Sequence, residues 1–246
     1  MTKPLAGRIA LVTGASRGIG AAAALALAAE GAHVVAVART VGGLEELDDG
    51  ITAAGGTATL VPLDLKDTDG ILRLALALNE RHGRLDILLG NAGILGTPSP
   101  LGHVEPKVWD DMLAINVSAN WHLIRALDPL LRRSDAGRAV FVTSGLATRA
   151  LPYFGAYAVS KAGLDMLVRT YAAEVASSPV RVNLFNPGRT RTKMMAVAFP
   201  GLDPQTLPPA EEVATALVPL CRPDCTESGR LYDVPAGRFL DFQPPA

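Results

Sequence analysis

The stretch Tyr157-Ala158-Val159-Ser160-Lys161 sets a phenol and an ammonium four positions apart, a spacing that puts both on one face of a helix. A free tyrosine, with a pKa near about 10, is a poor acid–base group at neutral pH. An ammonium about 4–5 Å away, at an effective dielectric near about 20, contributes on the order of 3–4 kcal/mol. That corresponds to a depression of roughly 2–3 pKa units, before desolvation opposes it. The pair is therefore a candidate proton donor and acceptor, provided that a cleft keeps bulk water away from it. Taken alone, Lys161 reads as an ordinary solvated lysine.

A second group of residues suits a different task. Thr13-Gly14-Ala15-Ser16-Arg17-Gly18-Ile19-Gly20 follows an apolar run and precedes an alanine-rich helical stretch. Glycines in that position allow a tight turn and close approach of the backbone to a pyrophosphate, while the helix N-terminus supplies N–H groups and a positive dipole. The placement between a first strand and a first helix, more than the glycines themselves, makes Gly14, Ser16, Arg17, Gly18, Ile19 and Gly20 a dinucleotide-binding candidate. Where an NAD site wants a carboxylate for the ribose 2′-OH, the second apolar run ends in Val37-Ala38-Arg39. Arg39 and Arg17 instead suit a 2′-phosphate, which guanidinium groups grip bidentately, so NADP(H) is the expected cofactor.

These groups need elements to hold them. Apolar runs at 9–14, 33–38, 58–63, 85–90, 138–144, 180–186 and 229–234 read as strands covered on both faces. Helical patterns lie near 18–30, 42–54, 68–82, 106–132, 157–177 and 210–221. Repeated βα order predicts an α/β fold: one Rossmann-like, doubly wound domain over residues 1–246, with a central, mostly parallel seven-stranded sheet flanked by helices. The proline-rich segment 187–209 follows a strand end, where open parallel sheets bind ligands, and reads as a substrate lid.

Composition narrows the function. With 23 basic and 24 acidic residues there is no global positive field to suggest nucleic acid. The apolar stretch 21–38 is broken at Glu30-Gly31-Ala32-His33 into pieces too short to span a membrane, and the N-terminal stretch lacks the pattern of an export signal, so a cytoplasmic protein is expected. Cys221 and Cys225 have no second Cys/His cluster with which to complete a metal site, and read as free thiols in a reducing compartment. No metal is expected.

With the glycine turn and Tyr157/Lys161, two more pieces complete a pattern: Asn91-Ala92-Gly93 after the fourth strand, and Ser144 at the end of the fifth, thirteen residues before Tyr157. Together they resemble the short-chain dehydrogenase/reductase family, over essentially the whole chain and in family order. The resemblance implies that Ser144, Tyr157 and Lys161 are the catalytic trio, with Asn116 of Ala114-Ile115-Asn116-Val117-Ser118 as a fourth member that distorts a long helix so that its carbonyl can hold a water. It implies that Tyr157 exchanges a proton with a carbonyl oxygen, that Ser144 hydrogen-bonds that oxygen, and that Lys161 also holds the cofactor ribose. It places Asp64 and Leu65 beside the adenine and Asn91, Ala92 and Gly93 at the cofactor cleft. Pro187, Gly188, Thr190 and Thr192 fall at the nicotinamide carboxamide. One departure is Gly90, where the family often has Asn; another is the cationic set Arg189, Arg191 and Lys193 around the expected threonine.

The activity so implied is interconversion of a carbonyl and an alcohol on a small molecule, by a homodimer or homotetramer whose contact surfaces are the helices at 106–132 and 157–177. Alternatives are a non-catalytic NADP-sensing partner protein, and an epimerase or dehydratase that uses the cofactor transiently. Ile94, Leu95, Leu146, Leu151, Tyr153, Met194, Met195 and Phe199 are expected around the substrate, which suggests an apolar or aromatic compound. His103, Trp121 and His122 read as packing or cleft-lining residues.

Overall fold

A computed structural model of the chain describes residues 3–242. Met1 and Thr2, the start of the stretch read above as no export signal, and 243–246 lie outside the described residues. The strands are β1 (Ile9–Thr13), β2 (His33–Ala38), β3 (Thr57–Pro62), β4 (Ile87–Gly90), β5 (Arg138–Val142), β6 (Arg181–Asn186), β7 (Leu231–Asp233) and β8 (Arg238–Leu240). The helices are α1 (Gly18–Ala29), α2 (Val41–Ala53), α3 (Thr68–His82), α4 (Pro106–Leu113), α5 (Ala119–Leu131), α6 (Gly155–Glu174), α7 (Lys193–Ala198) and α8 (Ala210–Cys221). The sheet runs β3-β2-β1-β4-β5-β6-β7-β8. Its first seven strands are parallel, and β8 pairs antiparallel with β7. The seven expected strands are all present; β8, which opens on Arg238 and offers only Phe239 and Leu240 as apolar residues, was not expected.

Why both faces are covered is legible along β1. Ala10 and Val12 pack on one side among α1, α2 and α8, whereas Leu11 packs on the other among α3, α5 and α6, as the period-two alternation of a strand requires. The alanines of α1, with Ala22, Ala23, Ala24 and Ala28 buried, let that helix lie close against the sheet and α8. Each larger side chain buried in these two layers, such as Leu27 or Leu123, contributes on the order of 1.5–3 kcal/mol.

Local signals set the element ends. Asp67 caps α3, accepting from the Gly70 N–H at 2.8 Å, and Gly83 ends it in the left-handed region at φ 69°. The stretch expected as one distorted helix over 106–132 is two α-helices joined by a π turn, Ala114–Ser118, with Asn116 at its centre. Inside 187–209 lies the short helix α7, which the proline content hid; Thr192 caps it, accepting from the Met195 N–H at 3.2 Å. The strand order reverses between β1 and β4, and the loops leaving their C-terminal ends open a crevice there. No helix of the described residues is long and apolar enough to cross a membrane.

Candidate active site

The crevice is a cleft of about 1480 Å³, larger than the roughly 300–1,000 Å³ of a single small-molecule pocket. One end is walled by Gly14, Ser16, Arg17, Gly18 and Ile19 of the glycine turn, with Arg39, Asp64 and Leu65; the middle by Asn91, Ala92 and Gly93; the other side by Ser144, Tyr157, Lys161, Pro187, Gly188, Thr190 and Thr192. Two expected site residues do not reach the wall. Asn116 is fully buried behind it, and Gly20 faces the fold.

The turn is built by close approach. Gly14 has φ 65° and Gly18 φ 58°, the left-handed region that favours glycine. A Cβ at Gly20 would lie 2.3 Å from the Gly14 carbonyl oxygen and 2.5 Å from Asn91 Nδ2, so only glycine lets α1 begin here. Asn91 braces the turn, its Nδ2 donating to the Thr13 carbonyl at 2.9 Å. The Thr13 hydroxyl in turn accepts the Asn91 and Ala92 main-chain N–H groups at 3.0 and 3.1 Å. Gly14 and Gly18 line the cleft where α1 begins, so the helix N-terminus opens onto it, which fits a dinucleotide pyrophosphate. At the far end Arg39 is exposed, with its guanidinium 3.9 Å from Asp64, and Arg17 stands exposed in the turn. Those two cations fit a 2′-phosphate.

On the opposite wall, Tyr157 and Lys161 lie on the buried face of α6 and Ser144 follows β5. Lys161 Nζ is 5.8 Å from the Tyr157 ring centre and donates to the Val142 carbonyl at 2.8 Å. A Cβ at Gly93 would sit 3.5 Å from Lys161 Nζ and 3.3 Å from Asn116 Oδ1; that missing side chain leaves Lys161 open to the cleft with Asn116 packed behind it. Asn116 is held on every side: its Oδ1 accepts from the Ile94 N–H at 2.8 Å, and its Nδ2 donates to the Ile94 carbonyl and the Ser160 hydroxyl, both at 2.9 Å. Within the π turn its main-chain carbonyl accepts from Asn120 Nδ2 at 2.9 Å.

The electrostatics correct the expectation drawn from spacing. The Tyr157 phenol is not lowered; burial pushes it up to about 12, and the Ser144 hydroxyl acts in the opposite direction. Burial likewise brings Lys161 down to about 8, with the Asp165 charge opposing. Desolvation outweighs attraction because both groups are almost wholly enclosed and the Lys161 ammonium is turned onto a neutral carbonyl. As built, the phenol keeps its proton across the neutral range.

Several residues that the sequence reading passed over support the site. Asn186, the last residue of β6, accepts the N–H groups of Gly145 and Gly188 at 3.1 and 3.2 Å through one Oδ1, and its Nδ2 donates to Asp233 at 2.7 Å. One amide therefore ties the Ser144 loop to the Pro187-Gly188 turn. Its signal was an Asn directly before Pro-Gly at a strand end. Asp165, one turn beyond Lys161, accepts from the Thr143 hydroxyl; burial raises its carboxyl to about 6. The departure at Gly90 also has a cause, since a Cβ there would meet Phe141 Cδ1 at 2.3 Å and Asn120 Oδ1 at 2.7 Å. Asn120, buried beside the π turn, occupies the space.

The apolar surround is largely as expected. Ile94, Leu95, Leu146, Leu151, Met194, Met195 and Phe199 all line the cleft. Tyr153 does not: its left-handed φ of 73° carries a ring that is 60% exposed to the outside, beside a small void next to Phe154 and Tyr157. Trp121 is not a packing or cleft residue either. It is 45% exposed on α5, with its ring 4.6 Å from His122 and the Arg125 guanidinium 5.7 Å above it. His103, in a short exposed turn, is not on the cleft wall. Cys221 and Cys225 are free thiols, and no cluster able to hold a metal exists among the described residues.

Comparison with known proteins gives one consistent picture. Residues 8–202 match the family model described as short chain dehydrogenase. The uncharacterized oxidoreductase YciK of Escherichia coli K12 is 37% identical over 94% of this chain and 93% of its own. The rhamnolipids biosynthesis 3-oxoacyl-[acyl-carrier-protein] reductase of Pseudomonas aeruginosa is 37% identical over 89% of this chain and 84% of its own. Among solved structures, a short chain dehydrogenase of Shigella flexneri complexed with NADP superposes with a TM-score of 0.91 at 36% identity, covering 96% of this chain and 100% of that one.

Proposed function

The chain belongs to the short-chain dehydrogenase family of oxidoreductases, and from that premise we propose that it interconverts a carbonyl and an alcohol on a small molecule, using NADP(H). The observation that carries the reading is that Ser144, Tyr157 and Lys161 line the same cleft as the glycine turn. NADP(H), when bound, supplies or accepts the hydride. In this reading the glycine turn and the first turn of α1 hold the pyrophosphate, and Arg17 and Arg39 hold the 2′-phosphate. Asp64 and Leu65 border the adenine, while Pro187, Gly188, Thr190 and Thr192 border the nicotinamide. Two neighbours complexed with NADP or NADPH support that choice of cofactor.

For reduction, Tyr157 enters protonated, as its raised pKa requires, and gives its proton to the carbonyl oxygen. Ser144 donates a hydrogen bond to the same oxygen and stabilises the charge that grows on it. Lys161 sits behind the phenol and offsets the negative charge left there, with Asn116 fixing the wall between Ile94 and Ser160. For oxidation the phenol must first lose its proton, so the reverse rate should climb with pH. The segment 187–209 acts as the lid over the substrate, with Met194, Met195 and Phe199 turned to the cleft. The exposed Trp121, Val159 and Met166 on α5 and α6 give those helices apolar surface for a homodimer or homotetramer, and a cytoplasmic location fits the two free thiols.

The test is depletion of NADPH, followed by absorbance, over a broad panel of aldehydes and ketones. Turnover with at least one compound, faster with NADPH than with NADH, is expected. Conversion of substrate without net cofactor consumption would replace this reading with the epimerase or dehydratase one, and cofactor binding without any conversion would replace it with the sensor.

A further inference from the structure

The cleft carries more positive charge than the glycine turn needs. Besides Arg17 and Arg39, its wall includes Arg149, Arg189 and Lys193, and none of these three has an ion pair or a side-chain hydrogen bond among the described residues. The carboxylates on the same wall are Asp64, Glu211 and Asp233. Asp64 stands by Arg39, and Asp233 already accepts from Asn186 and from the Ala236 N–H. Glu211 is the one remaining carboxylate on that wall and forms no ion pair with the three cations, and Arg191 next to them is held by Gln205 at 3.0 Å. All three are solvent-exposed at the cleft mouth, and a mouth lined by one sign of charge raises the local concentration of anions.

Arg189 is the best placed of the three. It follows Gly188, whose φ of 66° and contact with Pro235, 2.7 Å from where a Cβ would be, fix the turn. Its guanidinium lies over the Phe199 ring at 5.1 Å, and that ring stacks on Phe154 at 5.4 Å. Phe154 lies three residues before Tyr157, at the start of α6. Thr192, by contrast, leans toward the glycine turn, its Cγ2 only 3.5 Å from where a Gly18 Cβ would be. The segment therefore divides: Thr192 faces the pyrophosphate side, and Arg189 is turned along an aromatic stack toward the side of the catalytic phenol.

We propose that Arg189 is an anion-binding part of the substrate site, so that the substrate is a carbonyl compound carrying a carboxylate at the far end of an apolar body. The proposal rests on the oxidoreductase reading above and names its substrate class. The apolar body lies along Phe199, Phe154 and Leu146, the carbonyl meets Tyr157 and Ser144, and the carboxylate meets the planar guanidinium fork. Stacking on Phe199 holds that fork in place without neutralising it.

The experiment compares 4-carboxybenzaldehyde, and a series of aliphatic oxo acids, each with its own methyl ester, as substrates with NADPH. The acid should exceed the ester in kcat/KM by about tenfold or more, through KM, with the difference shrinking as salt is added. Arg189→Gln should bring the ratio close to one, and Arg189→Lys should retain part of it. Equal use of acids and esters by the unaltered protein overturns the proposal and leaves the oxidoreductase reading standing. Retention of the ratio in Arg189→Gln, with a raised KM for NADPH, also overturns it and assigns Arg189 to the cofactor phosphates. Should no carbonyl compound be reduced, thermal shift of the NADP+-loaded protein by 4-(hydroxymethyl)benzoate against its methyl ester decides the matter. Stabilisation by the acid alone, lost in Arg189→Gln, supports the anion site; equal or absent stabilisation removes it.

Discussion

Lys161 and Asp165 stand one helical turn apart on the buried face of α6, and the Asp165 carboxyl is tied to the Thr143 hydroxyl, on the residue next to Ser144. The carboxylate raises the affinity of Lys161 for its proton against the burial that lowers it to about 8. If the ammonium is what offsets charge on the Tyr157 oxygen, the reduction rate falls as pH rises through that value. Asp165→Asn should then move the falling limb to lower pH, while Asp165→Glu should hold it near its original position. A pH–kcat profile that stays in place in Asp165→Asn rules out the coupling.

Tyr157→Phe removes the hydroxyl proposed as the proton donor and keeps the ring. Turnover should drop by about 10²–10⁴-fold, while NADP still raises the thermal midpoint of the variant. In the unaltered protein, alcohol oxidation should accelerate with increasing pH because the phenol is held up to about 12 and must ionise first. Measurable full activity in the phenylalanine variant would take the acid–base role away from this residue.

The 2′-phosphate assignment turns on Arg39, exposed at the end of β2 with only a 3.9 Å approach to Asp64. Arg39→Asp should lower the preference for NADPH over NADH by about 10- to 100-fold, the range of one charged hydrogen bond. Initial rates with the two cofactors, under one substrate, check this. An unchanged ratio would shift the burden to Arg17.

Gly90 tests the packing behind the site. A methyl group there overlaps Phe141, itself fully buried, and Asn120 beside the π turn. Gly90→Ala should destabilise the protein by about 1–3 kcal/mol, read as a lower urea midpoint. If the variant is as stable as the parent, the space above β4 is looser than the distances imply.

Acid stability should reflect a histidine pair formed by the first residue of β2 and the last residue of α3. His33 and His82 have ring centres 5.6 Å apart, and burial lowers both pKa values from the usual 6.5. The fold resists protonating them while the unfolded chain does not, so their contribution is present above about 6.5 and is lost as pH falls through the lowered folded values. His82→Gln should flatten the decline of the thermal midpoint below that pH. An unaltered slope would assign the decline to carboxylates.

How far the sequence carried the site depended on what kind of interaction was involved. The strands were legible because burial on both faces leaves unbroken apolar runs, and the glycine turn because positive φ and close approach admit almost no other residue. Arg39, Tyr157 and Lys161 were legible as chemical groups at fixed spacing. The pKa of Tyr157 was not, since spacing gives the nearby charge but not the depth of burial, and burial proved the larger influence. Asn186 and Asp165 were hidden for a related reason. Each acts by joining segments distant in the chain, as Asn186 joins Gly145 to Gly188, and an isolated amide or carboxyl carries no local mark of that. Helix α7 was masked by the prolines around it, and Tyr153 by a backbone conformation that tyrosine seldom adopts.

The Asn186 amide has a further consequence for how such a site can change. Because it joins Gly145, Gly188 and Asp233, the serine loop and the root of the lid form one mechanical part, while the outer lid from Met194 to Phe199 holds neither of them and is free to be rewritten. A lineage could swap the aromatic stack, the cations or α7 to admit new molecules while the proton-handling machinery kept its shape. Diversity among descendants of this chain should therefore gather in that outer stretch and thin out at the residues the amide joins.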